Sequence, residues 1–280
     1  MRLLRRRRPV PVRRFDAATG AWAYIQAEES VECTELTLST YNIWNDDTMA
    51  HARYSAIADL LSRGAPDIMV FQEVTEGALD VLLSQQWIRD GHSGAVVVGA
   101  GVGDYGMLVL SRLPIARVVH TRLPTRQSRG FLQADIAVNG GRLVVCCIHL
   151  DSGKSSSWLR GWQLRRLFGA LKTAEDAVVL GDFNMRDAEN SRIAAPYCDV
   201  WPALRPGEDG FTEDTSINLM RYDMKDKHRH VRFDRVLLKS RLWTATEIEL
   251  LGTEPIAAGL PRVFPSDHFG VKCRLTNRNP

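Results

Sequence analysis

Polar side chains able to bind a cation or move a proton fall at the ends of apolar, strand-like runs throughout this 280-residue sequence. Asn42 follows the alternating stretch ELTLSTY, Glu73 sits near the end of DIMVFQEV, and His149 precedes Leu150 at the end of RLVVCCIHL. Asp182 and Asn184 lie in GDFN after AVVL, Asp234 stands in VRFDRVLL, and Asp267 and His268 occupy PSDHFG just ahead of VKCRL. Side chains at strand ends project into loops, where a rigid scaffold can gather them into one pocket. Acids and amides favour a hard cation such as Mg²⁺, with Mn²⁺ as a substitute. The imidazoles are then left for phosphate oxygens rather than for a soft metal. This is the inventory that metal-assisted attack of water on a phosphorus ester requires.

Taken singly, each residue also has an ordinary structural explanation. Asn42 could cap a turn, Glu73 could be an exposed strand end, and Asp182 could cap the segment that follows. His149 could be a satisfied core histidine, and Asp234 could pair with an arginine. Those explanations give no reason for all of them to stand at strand ends in this order.

The elements that must position them alternate between strand-like and helical patterns. ELTLSTYNIW has the period of two of a half-buried strand, whereas ARYSAIADLLSRG and EGALDVLLSQQW carry one apolar helical face. SGAVVVGAGVGDYGMLVLSRLPI holds two strands joined by a Gly-rich connection. No Gly-Lys-Ser/Thr follows that connection, so it reads as a hairpin loop rather than a phosphate loop. IARVVHTRL, FLQADIAV and RLVVCCIHL are successive strands, and NGG at 139–141 is a hairpin turn. WLRGWQLRRLFGAL is an amphipathic helix, residues 202–230 read as polar loop, and VRFDRVLL, WTATEIELL and GVKCRLT complete the strands. Strands with hairpins plus several helices imply an α/β sandwich of two packed sheets flanked by helices.

Charge and cysteine usage limit the setting. The formal charge is +3, yet residues 1–14 hold seven of the 36 Lys+Arg and no acid. That leaves 29 basic residues against 33 acids, a balance of −4 for the rest of the chain. Nucleic-acid affinity therefore needs local patches rather than bulk charge. Residues 1–20 read as a basic, disordered tail and 21–280 as a single catalytic domain. No apolar run reaches the length that spans a membrane. Five cysteines without C-x-x-C spacing fit a soluble, monomeric chain in a reducing cytoplasm, or a nucleus in a eukaryote.

TYNIW, FQEV, CIHLDS, GDFNMRD, VRFDRVLL and PSDHFG appear in the order found in the endonuclease/exonuclease/phosphatase superfamily of Mg²⁺-dependent phosphodiesterases. The resemblance runs from about Thr37 to Leu275. HLDSGK, GDFNMRD, FTEDTSIN and FPSDHFG are similar to local signatures of its tyrosyl-DNA phosphodiesterase 2 branch. It implies a four-layer, DNase I-like sandwich of two mostly antiparallel sheets. It also implies that Glu73 is the principal Mg²⁺ ligand, with Asn42 holding the metal's water shell and Asp267 reaching the metal through water. Asp182 resembles the group that orients or deprotonates the attacking water, with Asn184 as its partner. His268 resembles the phosphate-binding histidine, oriented by Asp234. His149, Ser152, Lys154, Arg186 and Asn218 are carried over as phosphate or substrate contacts.

Two positions depart from the pattern. Glu213, in FTEDT, stands where the eukaryotic members carry a base-stacking Trp, and an acid there would repel phosphates. Lys154 replaces an Arg, giving a point charge for a bidentate fork. The basic run MKDKHRHVR is either a backbone-binding edge or a solvated loop. The resemblance implies hydrolysis of 5′-phosphotyrosyl–DNA links, with single-stranded or 5′-end DNA as partner, in DNA repair. The same chemistry would also serve an abasic-site or single-strand nuclease, an RNA-end or 2′,3′-cyclic-phosphate enzyme, or a small-molecule phosphatase. A non-catalytic binding module is the reading from a different class.

Overall fold

Strand alternation is satisfied by packing on both faces of two sheets. The computed structural model describes residues 7–26, 29–99 and 102–278. The first sheet has eight strands, in the order β16-β17-β4-β5-β7-β6-β2-β3. These are β2 (Arg13–Asp16), β3 (Ala21–Tyr24), β4 (Glu35–Asn42), β5 (Ile68–Val74), β6 (Ser93–Val97), β7 (Gly106–Ser111), β16 (Trp243–Leu251) and β17 (Gly270–Asn277). The second has seven, in the order β1-β8-β9-β10-β11-β15-β12. They are β1 (Arg7–Val10), β8 (Ile115–Arg122), β9 (Gly130–Val138), β10 (Gly141–His149), β11 (Asp176–Asp182), β12 (Cys198–Asp199) and β15 (Asp234–Lys239).

In β5, Ile68 and Val70 face the second sheet and join Leu132, Val145, Cys147 and Leu180 in one buried cluster. Their neighbours Met69 and Phe71 face the other way. There they pack on Tyr54, Ile57 and Leu61 of α1 (Ala50–Ser62) and on Leu82 of α2 (Glu76–Ser84). In the second sheet, Val144, Cys146 and Val179 face outward onto Leu164 and Leu167 of α4 (Ser157–Ala170). Helix, sheet, sheet and helix give the expected four layers. Each fully buried Leu, Ile or Val contributes about 1.5–3 kcal/mol of transfer free energy, so the pattern outweighs weak local propensity. No helix among the described residues is long and apolar enough to cross a membrane.

The N-terminal segment departs from the expected tail. Residues 1–6 lie outside the described residues, but β1 pairs with β8 and β2 forms a hairpin with β3 against β6. Val10 is buried, the Arg13 guanidinium lies over Tyr24, and Phe15 meets Trp22 edge-on. Edge strands tolerate Pro and charged side chains on their open side, so an Arg-rich, Pro-containing stretch is compatible with pairing. Two further segments differ. EGALDVLLSQQW breaks at Gln85, whose ψ of 126° ends α2 before α3 (Gln86–Gly91). Residues 202–230, expected as loop, contain the end of α5 (Val200–Leu204), β13 (Glu213–Asp214) and α6 (Leu219–Asp223). β13 pairs with β14 (His230–Val231), so the segment is a folded cap.

Two local features serve the site. Asn139 and Gly140 have φ of 52° and 63°, the consecutive positive values that a two-residue hairpin turn between β9 and β10 demands. Gly181 has φ of 144°, and a Cβ there would lie 2.0 Å from the Ile148 carbonyl oxygen. Only glycine lets β11 run this close beside β10 at the point where both deliver polar residues.

Candidate active site

Register alone brings three of the expected residues together. β10 and β11 run parallel with His149 opposite Asp182, and β15 runs antiparallel to β11 with Asp234 opposite Asp182. Asp234 therefore stands at the start of its strand, not at the C-terminal end expected from the sequence. The reversal of β15 carries it to the same edge. From the other sheet, β4 and β5 run parallel with Asn42 opposite Gln72, and Glu73 follows at a bulge with φ of 60°. A bulge re-aims a side chain, and it turns Glu73 into a cavity of about 330 Å³ where the two sheets' ends meet.

Asp182 is buried and accepts from every side. Its Oδ1 takes the Asn184 backbone N–H at 2.7 Å. Its Oδ2 takes the side-chain amides of Asn184 at 2.9 Å and Asn42 at 3.2 Å, and lies 3.3 Å from His149 Nε2. Burial opposes its ionisation, but His149, His268 and the Asn184 N–H outweigh that and hold it below the usual carboxylate range. The His149 tautomer follows from its other neighbour. Arg129 Nη1 lies 3.0 Å from Nδ1 and can only donate, so Nδ1 accepts and Nε2 carries the proton toward Asp182.

Asp234 and His268 form a second pair, with Oδ2 and Nδ1 2.7 Å apart. Burial would depress the His268 imidazole, but the Asp234 and Asp267 carboxylates beside it raise it well above its usual value. Burial pushes the Asp267 carboxyl up to about 6, helped by the charges of Glu73 and Glu213 and opposed by His268 and Arg221.

Glu73, His149, Ser152, Asp182, Asn184, Arg186 and His268 all line the cavity. Ser152 is held there by Gln127, which accepts from its backbone N–H at 2.7 Å. Other expected contacts serve different ends. Asn218 is buried as the cap of α6, accepting from the Arg221 N–H at 3.0 Å and donating to the Ser266 carbonyl at 2.8 Å. It is buried, bonds to the chain itself and is not among the residues lining the cavity. Asn42 is likewise spent, on Asp182 and on the Trp44 N–H. Lys154 is exposed and is not among the residues lining the cavity.

Sequence reasoning missed Arg129 and Arg221. Arg129 is buried between His149 and Tyr105, whose hydroxyl accepts from it at 2.7 Å. Arg221 and Arg229 also line the cavity, and both are held by Glu213. The expectation that Glu213 repels phosphates fails for that reason. The carboxylate is buried and accepts from Arg221 Nε at 2.6 Å and Arg229 Nη1 at 2.9 Å. One acid thus fixes two cations at the cavity wall. The basic run expected as a backbone-binding edge or a loop is divided. Arg229 faces the cavity, while Arg232 is anchored on Asp199 at 2.9 Å. Glu213→Ala is expected to lower stability by about 3 kcal/mol, because it strands Arg221 against a buried wall. Urea unfolding of Glu213→Ala beside Glu213→Gln checks this, and a cost below about 1 kcal/mol in both would sink it.

A divalent cation fits the donor set. Beyond the effect of burial, the charges of Glu73 and Glu213 raise Asp267, and a hard cation would relieve that repulsion. Among the described residues, Asp182, Asp234 and His268 hold potential ligand atoms within 4.8 Å of one another. In this trio, however, His268 and Asp234 are spent on each other, and a protonated imidazole repels a cation. Glu73 is better placed: one oxygen accepts the Asn45 N–H at 3.2 Å and the other lies 3.8 Å from His149 Nε2 at the cavity.

Known proteins share this chain's sequence and fold. Tyrosyl-DNA phosphodiesterase 2 of Danio rerio is 30% identical over 263 residues, covering 88% of this chain and 68% of the relative. The Xenopus laevis protein of that name is 27% identical, covering 92% and 70%. A crystal structure of D. rerio TDP2 complexed with single strand DNA product superposes with a TM-score of 0.78 at 25% identity, covering 87% of this chain and 100% of that one. Residues 39–268 match the profile of the Endonuclease/Exonuclease/phosphatase family and contain every paired acid and imidazole of the cavity, so the chain belongs to that family and is a tyrosyl-DNA phosphodiesterase 2-like phosphodiesterase.

Proposed function

We propose that the chain is a Mg²⁺-dependent phosphodiesterase that hydrolyses 5′-phosphotyrosyl–DNA links and so leaves a 5′-phosphate on the strand. The observation that carries this reading is one cavity holding an anionic carboxylate, a carboxylate-backed imidazole and a guanidinium wall, in a chain 30% identical to a tyrosyl-DNA phosphodiesterase.

The residues divide the work in a physically consistent way. Asp182, kept ionised by its donors, accepts a hydrogen bond from water, orients it toward phosphorus and takes its proton as the P–O bond forms. Asn184 and Asn42 hold that carboxylate in place. His268, kept cationic by Asp234, donates to a phosphoryl oxygen as charge builds there, and His149 offers its Nε2–H beside it. Arg186, Arg129 and Arg229 supply fixed positive charge for the non-bridging oxygens and the strand. The bond that breaks joins phosphorus to the tyrosine oxygen. A phenol with a pKa of about 10 leaves as phenolate and takes its proton from solvent, so a strong general acid is not required. A divalent cation held by Glu73 would supply charge neutralisation on the phosphate and an oriented water shell.

The test is release of tyrosine from a 5′-tyrosyl single-stranded oligonucleotide in Mg²⁺. Loss of release with EDTA and its return with Mg²⁺ or Mn²⁺ are expected. A substrate left intact at micromolar enzyme, while simpler phosphoesters are cleaved, would keep the chemistry and discard the adduct-repair assignment.

A further inference from the structure

The exposed face of α4 carries two indoles that nothing in the reaction uses. Trp158 and Trp162 are 55% and 57% exposed, four residues apart and on the side opposite the buried Leu164 and Leu167. With Arg165 they line a groove of about 390 Å³. The Arg126 guanidinium sits 5.7 Å over the Trp158 ring. Arg126 also bounds a second hollow of about 270 Å³, together with Arg122, Thr125, Ser128 and Arg129. Arg129 in turn lines the catalytic cavity. The three hollows are therefore joined through shared or touching side chains.

The neighbouring hollows are also fixed in place. Asp151 accepts from Thr125 Oγ1 at 3.1 Å and from the Arg126 N–H at 3.2 Å, and Gln163 of α4 donates to the Pro124 carbonyl at 2.8 Å. These bonds strap the loop of residues 123–129 to the helix, so little ordering cost remains on binding. Among the described residues, no carboxylate lines either hollow beyond the cavity. Interleaved guanidinium and indole groups suit a polyanion with stackable rings: the arginines follow phosphates and the indoles accept bases.

We propose that Arg129, Arg126, Trp158, Trp162 and Arg165 form a binding track for single-stranded nucleic acid that continues from the strand end whose phosphoester occupies the catalytic cavity. This rests on the reading that the cavity takes a nucleic-acid phosphoester. The indoles give affinity that grows with strand length and is indifferent to sequence.

The test uses the full chain with 3′-labelled, 5′-phosphorylated oligothymidylates of about two to ten nucleotides, read by fluorescence anisotropy in the absence of turnover. Affinity is expected to rise with length in the native chain. Trp158→Ala with Trp162→Ala should weaken the long strands by about 30- to 10⁴-fold and leave the dinucleotide unchanged. Arg126→Ala should lower the slope of log affinity against log salt by about 0.7. Both tryptophans are solvent-facing and Ala favours helix, so the variants keep the fold, which circular dichroism checks. Unchanged length dependence in the double variant overturns the track. So does a loss confined to substrates lengthened on the tyrosyl side with peptide. Length-dependent binding without tyrosine release would sink the proposed reaction and leave the track standing, and release with flat length dependence would do the reverse.

Discussion

Asp182→Asn is expected to lower kcat on a 5′-tyrosyl oligonucleotide by about 10²- to 10⁴-fold. The side chain changes by one atom, so the cavity keeps its shape, but the acceptor becomes half a donor. Every partner of Asp182 donates: the Asn184 N–H, the amides of Asn184 and Asn42, and His149 Nε2. An Asn must turn its NH₂ toward one of these donors, at a cost of about 1–3 kcal/mol in stability. Rates should therefore be compared well below the variant's Tm. The larger effect is chemical, because an amide cannot take the proton of an attacking water. KM should change far less than kcat, since Asp182 acts on water and not on the strand. A fall in kcat of under about tenfold, with the variant folded, would remove Asp182 from proton transfer.

The legible and illegible parts of this site differ in how far apart their partners lie in sequence. Asn42, Glu73, His149 and Asp182 were readable because each ends an apolar run, and parallel pairing of β4 with β5 and β10 with β11 aligns such ends. The alternation that sends Ile68 and Val70 to one face and Met69 and Phe71 to the other was enough for the four layers. Arg129 was not readable. Its place depends on Tyr105, just before β7, and His149, at the end of β10, approaching from separate parts of the chain, and nothing in SRGF marks it. Glu213 misled in the opposite direction. A lone acid in FTEDT looks repulsive until α6 and the segment before β14 bring Arg221 and Arg229 onto it. The segment from Arg7 to Asp16 misled because composition reports the charge of a strand and not its pairing partner. Its pairing with β8 and β6, the burial of Val10 and the Arg89 guanidinium over Phe15 decide that it joins the sheets.

His268→Ala is expected to cost about 10²- to 10³-fold in kcat, the loss of one donor to the developing charge. Asp234→Asn should reach a comparable loss without touching the substrate. Asp234 Oδ2 lies 2.7 Å from Nδ1, and its charge leads those of Asp267 and Asp182 in raising the imidazole against the opposing effect of burial. An amide at 234 can still accept from Nδ1–H and keep the ring in place, yet it no longer holds the ring cationic. The decisive measurement is the double variant. If Asp234 acts through His268, then Asp234→Asn combined with His268→Ala is no slower than His268→Ala alone, because the second change removes a support for a group already gone. Multiplying losses would show that Asp234 acts elsewhere. Its neighbour in register is Asp182, and a buried carboxylate opposite the water-orienting one would then be setting the charge of that group instead.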